Sequence, residues 1–144
     1  MTIIAQPKEV IAEFVARIQR QSEPWGNYTA LGYVQDGALL AGVIYNGFSE
    51  ANVSAHIAAI KGCHWLRREF LYAMFDYPFN QLRKRRITAL VAKKNHPARK
   101  FVRHLGFTQE GCLKHYFERD DMLCYGMLRE NCRFIKQQQL QEAA

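Results

Sequence analysis

The sequence predicts an α/β domain in which hairpin-linked strands alternate with amphipathic helices. Three observations carry that prediction. Asp36-Gly37 sits between two extended apolar runs, a strong hairpin signal because this pair tolerates the positive φ angles of a tight turn. Apolar residues recur at helical spacing over Lys8 to Arg20 and again from about His64 to Phe75. The stretch ITALVAKKNHPARKFVRHLGFTQEG, from Ile87 to Gly111, reads as strand, Asn-containing turn, short helix, Gly-Phe and strand.

In chain order, the first helix spans Lys8 to Arg20, with Val10, Ile11, Phe14, Val15 and Ile18 on its apolar face and Pro7 at its start. Ser22 to Asn27 is a loop containing Pro24, Trp25 and Gly26. Thr29 to Val34 and Ala38 to Tyr45 are the hairpin strands, and Val53 to Ile60 follows as another after the polar turn Ser49-Glu50-Ala51-Asn52. The second helix runs from about His64 to Phe75, where Pro78 ends or kinks it. Ile87 to Val91 is too short for a helix and too apolar for exposed coil, so it is a buried strand. Pro97 suits the first helical position, Asn95 caps ahead of it, and Ala98, Phe101, Val102 and Leu105 share one face up to the Gly106 stop. Gln109 to Phe117 and Met122 to Leu128 are the last strands. The tail from Asn131 to Ala144, with Phe134, Ile135 and Leu140, is expected to be a short helix.

At 144 residues, 49% hydrophobic and 23% charged, the chain is expected to form one domain over residues 1–144 with a core that needs no staples. It shows no membrane-length apolar run and no secretory leader pattern, so a cytoplasmic setting is expected. Cys63, Cys112, Cys124 and Cys132 form no C-x-x-C pair and the five histidines show no ligand spacing near them, so no metal is expected. The net charge of +7 implies an anionic partner, concentrated at Arg83 to Arg86, Lys93, Lys94, Arg99, Lys100 and Arg103. No aromatic residues interleave with these charges before Phe101, which argues against a single-stranded nucleic acid platform. A phosphate-bearing cofactor would use the same charges.

The Asn95 turn, the ending Leu105-Gly106-Phe107, Glu110-Gly111, the flanking Asp76-Tyr77-Pro78-Phe79 and Arg86-Ile87-Thr88-Ala89, and Tyr125-Gly126-Met127-Leu128-Arg129 together resemble the C-terminal half of the GNAT superfamily of acyl-CoA-dependent N-acyltransferases. The likeness is nearest to the branch that acetylates ribosomal-protein N-termini and to phage-encoded relatives. It implies a GNAT fold, with a mixed, mostly antiparallel central sheet, splayed parallel strands four and five, and helices on both faces. It also implies acetyl-CoA as co-substrate and an unidentified amine acceptor attacked directly in a ternary complex; a homodimer is a further expectation, and no membrane partner is expected.

The resemblance places the acyl-CoA between the splayed strands, along Ala58, Ala59 and Ile60, with its pyrophosphate at the helix start in Gly62, Cys63, His64 and Arg67. It puts Asn95 on the pantetheine arm and Arg99 and Lys100 on the adenosine phosphates. The family's loop is a Gln or Arg, two spacers, then Gly-x-Gly or Gly-x-Ala; here only Gly62 remains, and Trp65 stands within the segment.

An acceptor amine with a pKa of about 10.4 must lose a proton near neutral pH, and His56 or Glu50 is the expected base. At the place of the tyrosine that many members use to protonate the departing thiolate this chain has Val102, so either a tyrosine from another strand, such as Tyr125 or Tyr116, replaces it, or water does, or the chemistry is absent. Two competing expectations stand beside the enzyme: a catalytically degenerate GNAT fold serving as a binding or structural subunit of a phage or regulatory complex, and nucleic-acid binding, the weakest.

Overall fold

The computed structural model describes residues 2–136. Its elements are β1 (Thr2–Ile4), α1 (Lys8–Gln19), β2 (Thr29–Gln35), β3 (Ala38–Asn46), β4 (Asn52–Ala59), α2 (Arg68–Asp76), β5 (Arg86–Ala92), α3 (His96–Leu105), β6 (Thr108–Phe117) and β7 (Asp120–Leu128). The strands form one seven-stranded sheet in the order β1-β2-β3-β4-β5-β7-β6. Every neighbouring pair is antiparallel except β4 with β5. Asp36 and Gly37 take φ of 53° and 77°, which closes the β2–β3 hairpin as their residue types require.

The two sheet faces are covered differently. On one, Ile11, Ala12, Phe14 and Val15 of α1 pack against Ala30, Ile44 and Ala58. Gly42 permits this approach, because a Cβ there would stand 2.9 Å from Val15 Cγ2. On the other face, Phe70, Met74 and Phe75 of α2 and Val102 and Leu105 of α3 join Tyr33, Val43, Tyr45, Ile87, Leu123 and Tyr125 in the larger core.

Several expectations need correction. Thr2–Ile4 is an additional edge strand, one that sequence pattern does not signal because three residues so close to a proline carry almost no periodicity. Val10 and Ile18 are exposed, and α1 buries Ile11 and Ala12 instead of a stripe beginning at Val10. The second helix starts at Arg68, not His64, because residues 62–67 form an irregular loop in which Leu66 is exposed. Pro78 neither simply ends nor kinks it: α2 runs on into a single π-helical turn, Tyr77–Gln81, and Met74 O, the carbonyl four residues before the proline, accepts from the Tyr45 hydroxyl instead. Arg129 holds that turn from the end of β7, donating to Phe79 O at 2.6 Å and Asn80 Oδ1 at 3.0 Å.

The tail begins as a 3-10 turn, Arg129–Asn131, followed by irregular chain whose Phe134 stacks on Phe75 at 4.9 Å. The rest of the expected tail helix, with Leu140, lies outside the described residues. Among the described residues no helix is long and apolar enough to cross a membrane.

Candidate active site

The parallel pair is short. β4 and β5 match only at Asn52 with Arg86, Val53 with Ile87 and Ser54 with Thr88, although β4 continues to Ala59 and β5 to Ala92. Side chains clip the closed end: Thr88 Oγ1 donates to Asn52 Oδ1 at 2.6 Å, Arg86 Nε donates to the same oxygen at 3.1 Å, and Arg86 bridges Glu110 at 2.8 Å. Beyond Ser54 and Thr88 the strands part and leave a gap.

Backbone alternation decides which groups face that gap. Ile60 N–H donates to Leu40 O at 2.8 Å, so the antiparallel ladder assigns Ala58, His56 and Ser54 to β3 as well. The N–H and C=O groups of Ile57 and Ala59 therefore point toward β5, where no strand partner remains. Gln19 at the end of α1 donates to Ile57 O at 2.9 Å, which fits a carbonyl turned off the β3 ladder. Of the residues expected along the cofactor, Ala59 offers backbone to the gap, whereas Ala58 and Ile60 have theirs committed to β3.

One row of side chains crosses the sheet where the strands part. Tyr45 is opposite Ala55 on β4, and Tyr125 is opposite Ala89 on β5, so two small residues border the gap and two tyrosines stand outside them. Both tyrosines are fully buried. Tyr45 donates to Met74 O at 2.6 Å, and desolvation raises its pKa. The Tyr125 hydroxyl has no partner among the described residues, an arrangement that costs about 1–3 kcal/mol unless something else meets it. Tyr116 is exposed on the β6–β7 hairpin.

His56 lies on the α1 side of the gap. Its Nε2 is 2.8 Å from Asn46 Oδ1, while Asn46 Nδ2 donates to Trp25 O at 3.1 Å. Because the amide's nitrogen is spent on Trp25, its oxygen must accept, so His56 carries its proton on Nε2 and a free lone pair on Nδ1. The Trp25 ring tilts over the imidazole at 4.9 Å. Burial pushes the His56 pKa down to about 4, which corrects the expectation of a base poised near neutrality. Glu50 stands exposed in the turn before Asn52, at the closed end of the strand pair, so it does not join His56 at the opening.

On the α2 and α3 side, the loop leaving β4 turns at Gly62, φ 84°, and Cys63 Sγ donates to Ile60 O at 3.0 Å. Arg67 folds back on the loop, its Nε donating to His64 O at 3.3 Å, and His64 is exposed. Residues 63–67 line a cavity of about 260 Å³. Helix α2 has no side-chain cap, so its first amides, beginning at Arg68, keep the unsatisfied donors of a helix start. Asn95 caps α3 as expected, Oδ1 accepting from Ala98 N at 3.3 Å, and its Nδ2 remains a donor. Arg99 Nη1 donates to Lys93 O at 3.0 Å, its Nε is buried without a partner, and Lys100 is exposed. Trp65 spans the two arms: its indole lies 5.3 Å from Phe101 on α3 and 6.1 Å from Phe70 on α2. Among the described residues no three His, Cys, Asp or Glu side chains gather as a metal ion would need.

No family model matches the chain, and no curated protein sequence does. Solved structures do. Spermidine N-acetyltransferase from Vibrio cholerae, in a single-site mutant form, superposes with a TM-score of 0.77 at 14% identity over 96% of this chain and 99% of that one. The same enzyme in complex with CoA and spermine gives 0.72 at 16% identity, covering 90% and 97%. A probable acetyltransferase gives 0.68 at 15%, covering 90% and 93%. The chain has the GNAT fold.

Within that GNAT fold the parallel β4–β5 pair, the three helices and the seven strands all have their counterparts in the neighbours. The neighbours named for a substrate are spermidine enzymes, so the expected ribosomal-protein branch gains no support. Three features of this region carried no sequence signal: the Asn46 link between His56 and the Trp25 loop, the Gln19 contact to Ile57 O, and the Trp65–Phe101 contact. Each joins residues whose separation in the chain matches no motif.

Proposed function

We propose that the chain is an acyl-CoA-dependent N-acyltransferase acting on a primary amine. The observation that carries this reading is the end of β4–β5 pairing at Ser54 and Thr88, which leaves the Ile57 and Ala59 amides turned into an open gap. One N–H donor there suits a thioester carbonyl whose oxygen gains negative charge on attack, and the other, two residues along the strand, suits an amide carbonyl of the cofactor arm. The unsatisfied amides at the start of α2 suit a pyrophosphate, the Asn95 Nδ2 suits an amide-bearing arm, and Arg99 and Lys100 suit further phosphate. One neighbour's complex with CoA and spermine adds support for acetyl-CoA as the co-substrate.

The chemistry is a direct displacement. The amine nitrogen bonds to the acyl carbon as the carbon–sulfur bond breaks, the sulfur leaves as a thiolate, and the amine sheds one proton. The buried, unpartnered Tyr125 hydroxyl beside Ala89 is the donor we assign to that sulfur. With its pKa near 4, His56 is too weak a base to strip an ammonium, so it positions the Trp25 loop as one wall of the amine path while the proton goes to water.

The test is release of CoA thiol from acetyl-CoA in the presence of spermidine, an amino-terminal peptide, a lysine-containing peptide or a simple alkylamine. Amine-dependent release supports the reading. Absence of release with all four, from protein that still binds acetyl-CoA, supports the second reading, a binding protein that has kept the fold without catalysis. That second reading draws on Trp65, whose indole lies across the arms of the gap, and on Val102, which stands where many family members have tyrosine.

A further inference from the structure

We infer that the chain holds a second small-molecule site, for a zwitterion of the amino-acid class, at the outer edge of β2. A cavity of about 340 Å³ opens there, where β1 ends at Ile4 and β2 runs on through Leu31. Its floor is apolar, formed by Ala30, Leu31 and Ala73. It is separated from the β4–β5 gap by β3 and does not depend on acyl transfer.

Two opposite charges line this cavity, and neither is neutralised. Asp76 belongs to one wall; its carboxylate accepts from Asn80 Nδ2 and Gln81 Nε2, each at 2.9 Å. These donors fix both oxygens in place without cancelling the charge, and Asp76 raises the Tyr72 pKa more than any other group does. Lys8, the first residue of α1, belongs to the opposite wall; its ammonium donates to Tyr28 O at 3.2 Å and sits 4.4 Å above the Tyr28 ring. Neither residue has an ion-pair partner among the described residues. An apolar cavity with an oriented carboxylate and an ammonium that lacks a carboxylate partner on its walls is complementary to a ligand carrying an ammonium, a carboxylate and a short apolar body.

Thermal melting with L-leucine and L-phenylalanine as probes tests this, beside isoamylamine and isovalerate, which keep one charge each, and N-acetyl-L-leucine, which lacks the ammonium. The expected result is a rise of about 3 °C at saturating amino acid. The singly charged probes should bind roughly tenfold more weakly or worse. Asp76→Asn and Lys8→Met should each lose the response, and so should Ala73→Leu, which fills the cavity without altering a charge. The inference is overturned if wild-type protein shows no rise with either amino acid at about 10 mM. It is equally overturned if single-charge probes match the amino acids, or if the rise survives in Ala73→Leu. The probe comparison needs no variant, so a substitution that fails to fold leaves the test intact.

Discussion

The indole of Trp65 lies 5.3 Å from the ring of Phe101, joining the loop that leaves β4 to the helix that follows β5 across a gap the backbone leaves open. Among the described residues the hydrogen bonds within that loop are local, from Cys63 to Ile60 and from Arg67 to Trp65 and His64, apart from the long Cys63 contact to Leu40 O at 3.8 Å. The aromatic pair is therefore the contact that holds the mouth on the α3 side. A ligand entering from this side meets Trp65.

Binding of acetyl-CoA should consequently change Trp65 fluorescence. The chain has two tryptophans, so Trp25→Phe isolates the signal. Trp65→Ala should lower the acetyl-CoA KM severalfold while costing about 1–2 kcal/mol in denaturant melts, less than a fully buried aromatic because this indole is half exposed. A raised KM would mean that the indole holds the ligand instead of blocking it.

Tyr125→Phe separates catalysis from packing. Removing a buried hydroxyl that lacks a partner should leave stability unchanged or raise it by about 1 kcal/mol. Turnover should still fall, by roughly ten- to a hundredfold, with acetyl-CoA affinity kept. Unchanged turnover would remove Tyr125 from the reaction.

His56 sets an acid limit on stability. Its native pKa of about 4 lies below the usual 6.5, so below pH 6.5 the unfolded chain takes up a proton that the native chain refuses. The contribution is complete above pH 6.5 and is lost as pH falls toward 4. Between pH 7.5 and pH 5 the loss is roughly 2 kcal/mol. His56→Gln should flatten the pH dependence of urea melts over that range; an identical slope in the variant would contradict the assignment.

Asn95 caps α3 through Ala98 N. Asn95→Ala should destabilise by about 1 kcal/mol, whereas Asn95→Asp should retain the cap and fold normally. If Nδ2 also serves acyl-CoA, the aspartate variant should raise the acetyl-CoA KM despite its intact fold. Equal KM in wild type and the aspartate variant would confine Asn95 to capping.

Local chemistry made much of this fold legible. The Asp36-Gly37 hairpin, the cap and stop of α3 at Asn95 and Gly106, and the apolar face of Val102 and Leu105 all follow from residue types a few positions apart. Elements whose cause is distant were missed or misplaced. Helix α2 starts late because Trp65 packs on Phe101, 36 positions away along the chain, instead of turning with its neighbours. The depressed pKa of His56 comes from burial beneath Trp25, which strand periodicity cannot register. Glu50 looked near the chemistry only because sequence distance from His56 says nothing about which end of the strand pair opens.

The proposed acyl transfer depends on two backbone amides, those of Ile57 and Ala59, facing an opening between β4 and β5. Titration of acetyl-CoA into isotopically labelled protein, followed by amide NMR and hydrogen exchange, reports on both directly. Large shifts and slowed exchange at Ile57 and Ala59, with Leu40-bonded Ile60 little affected, are the predicted result. Saturating acetyl-CoA that leaves these two amides unshifted, or that shifts only the Lys93 to Lys100 surface, would contradict it.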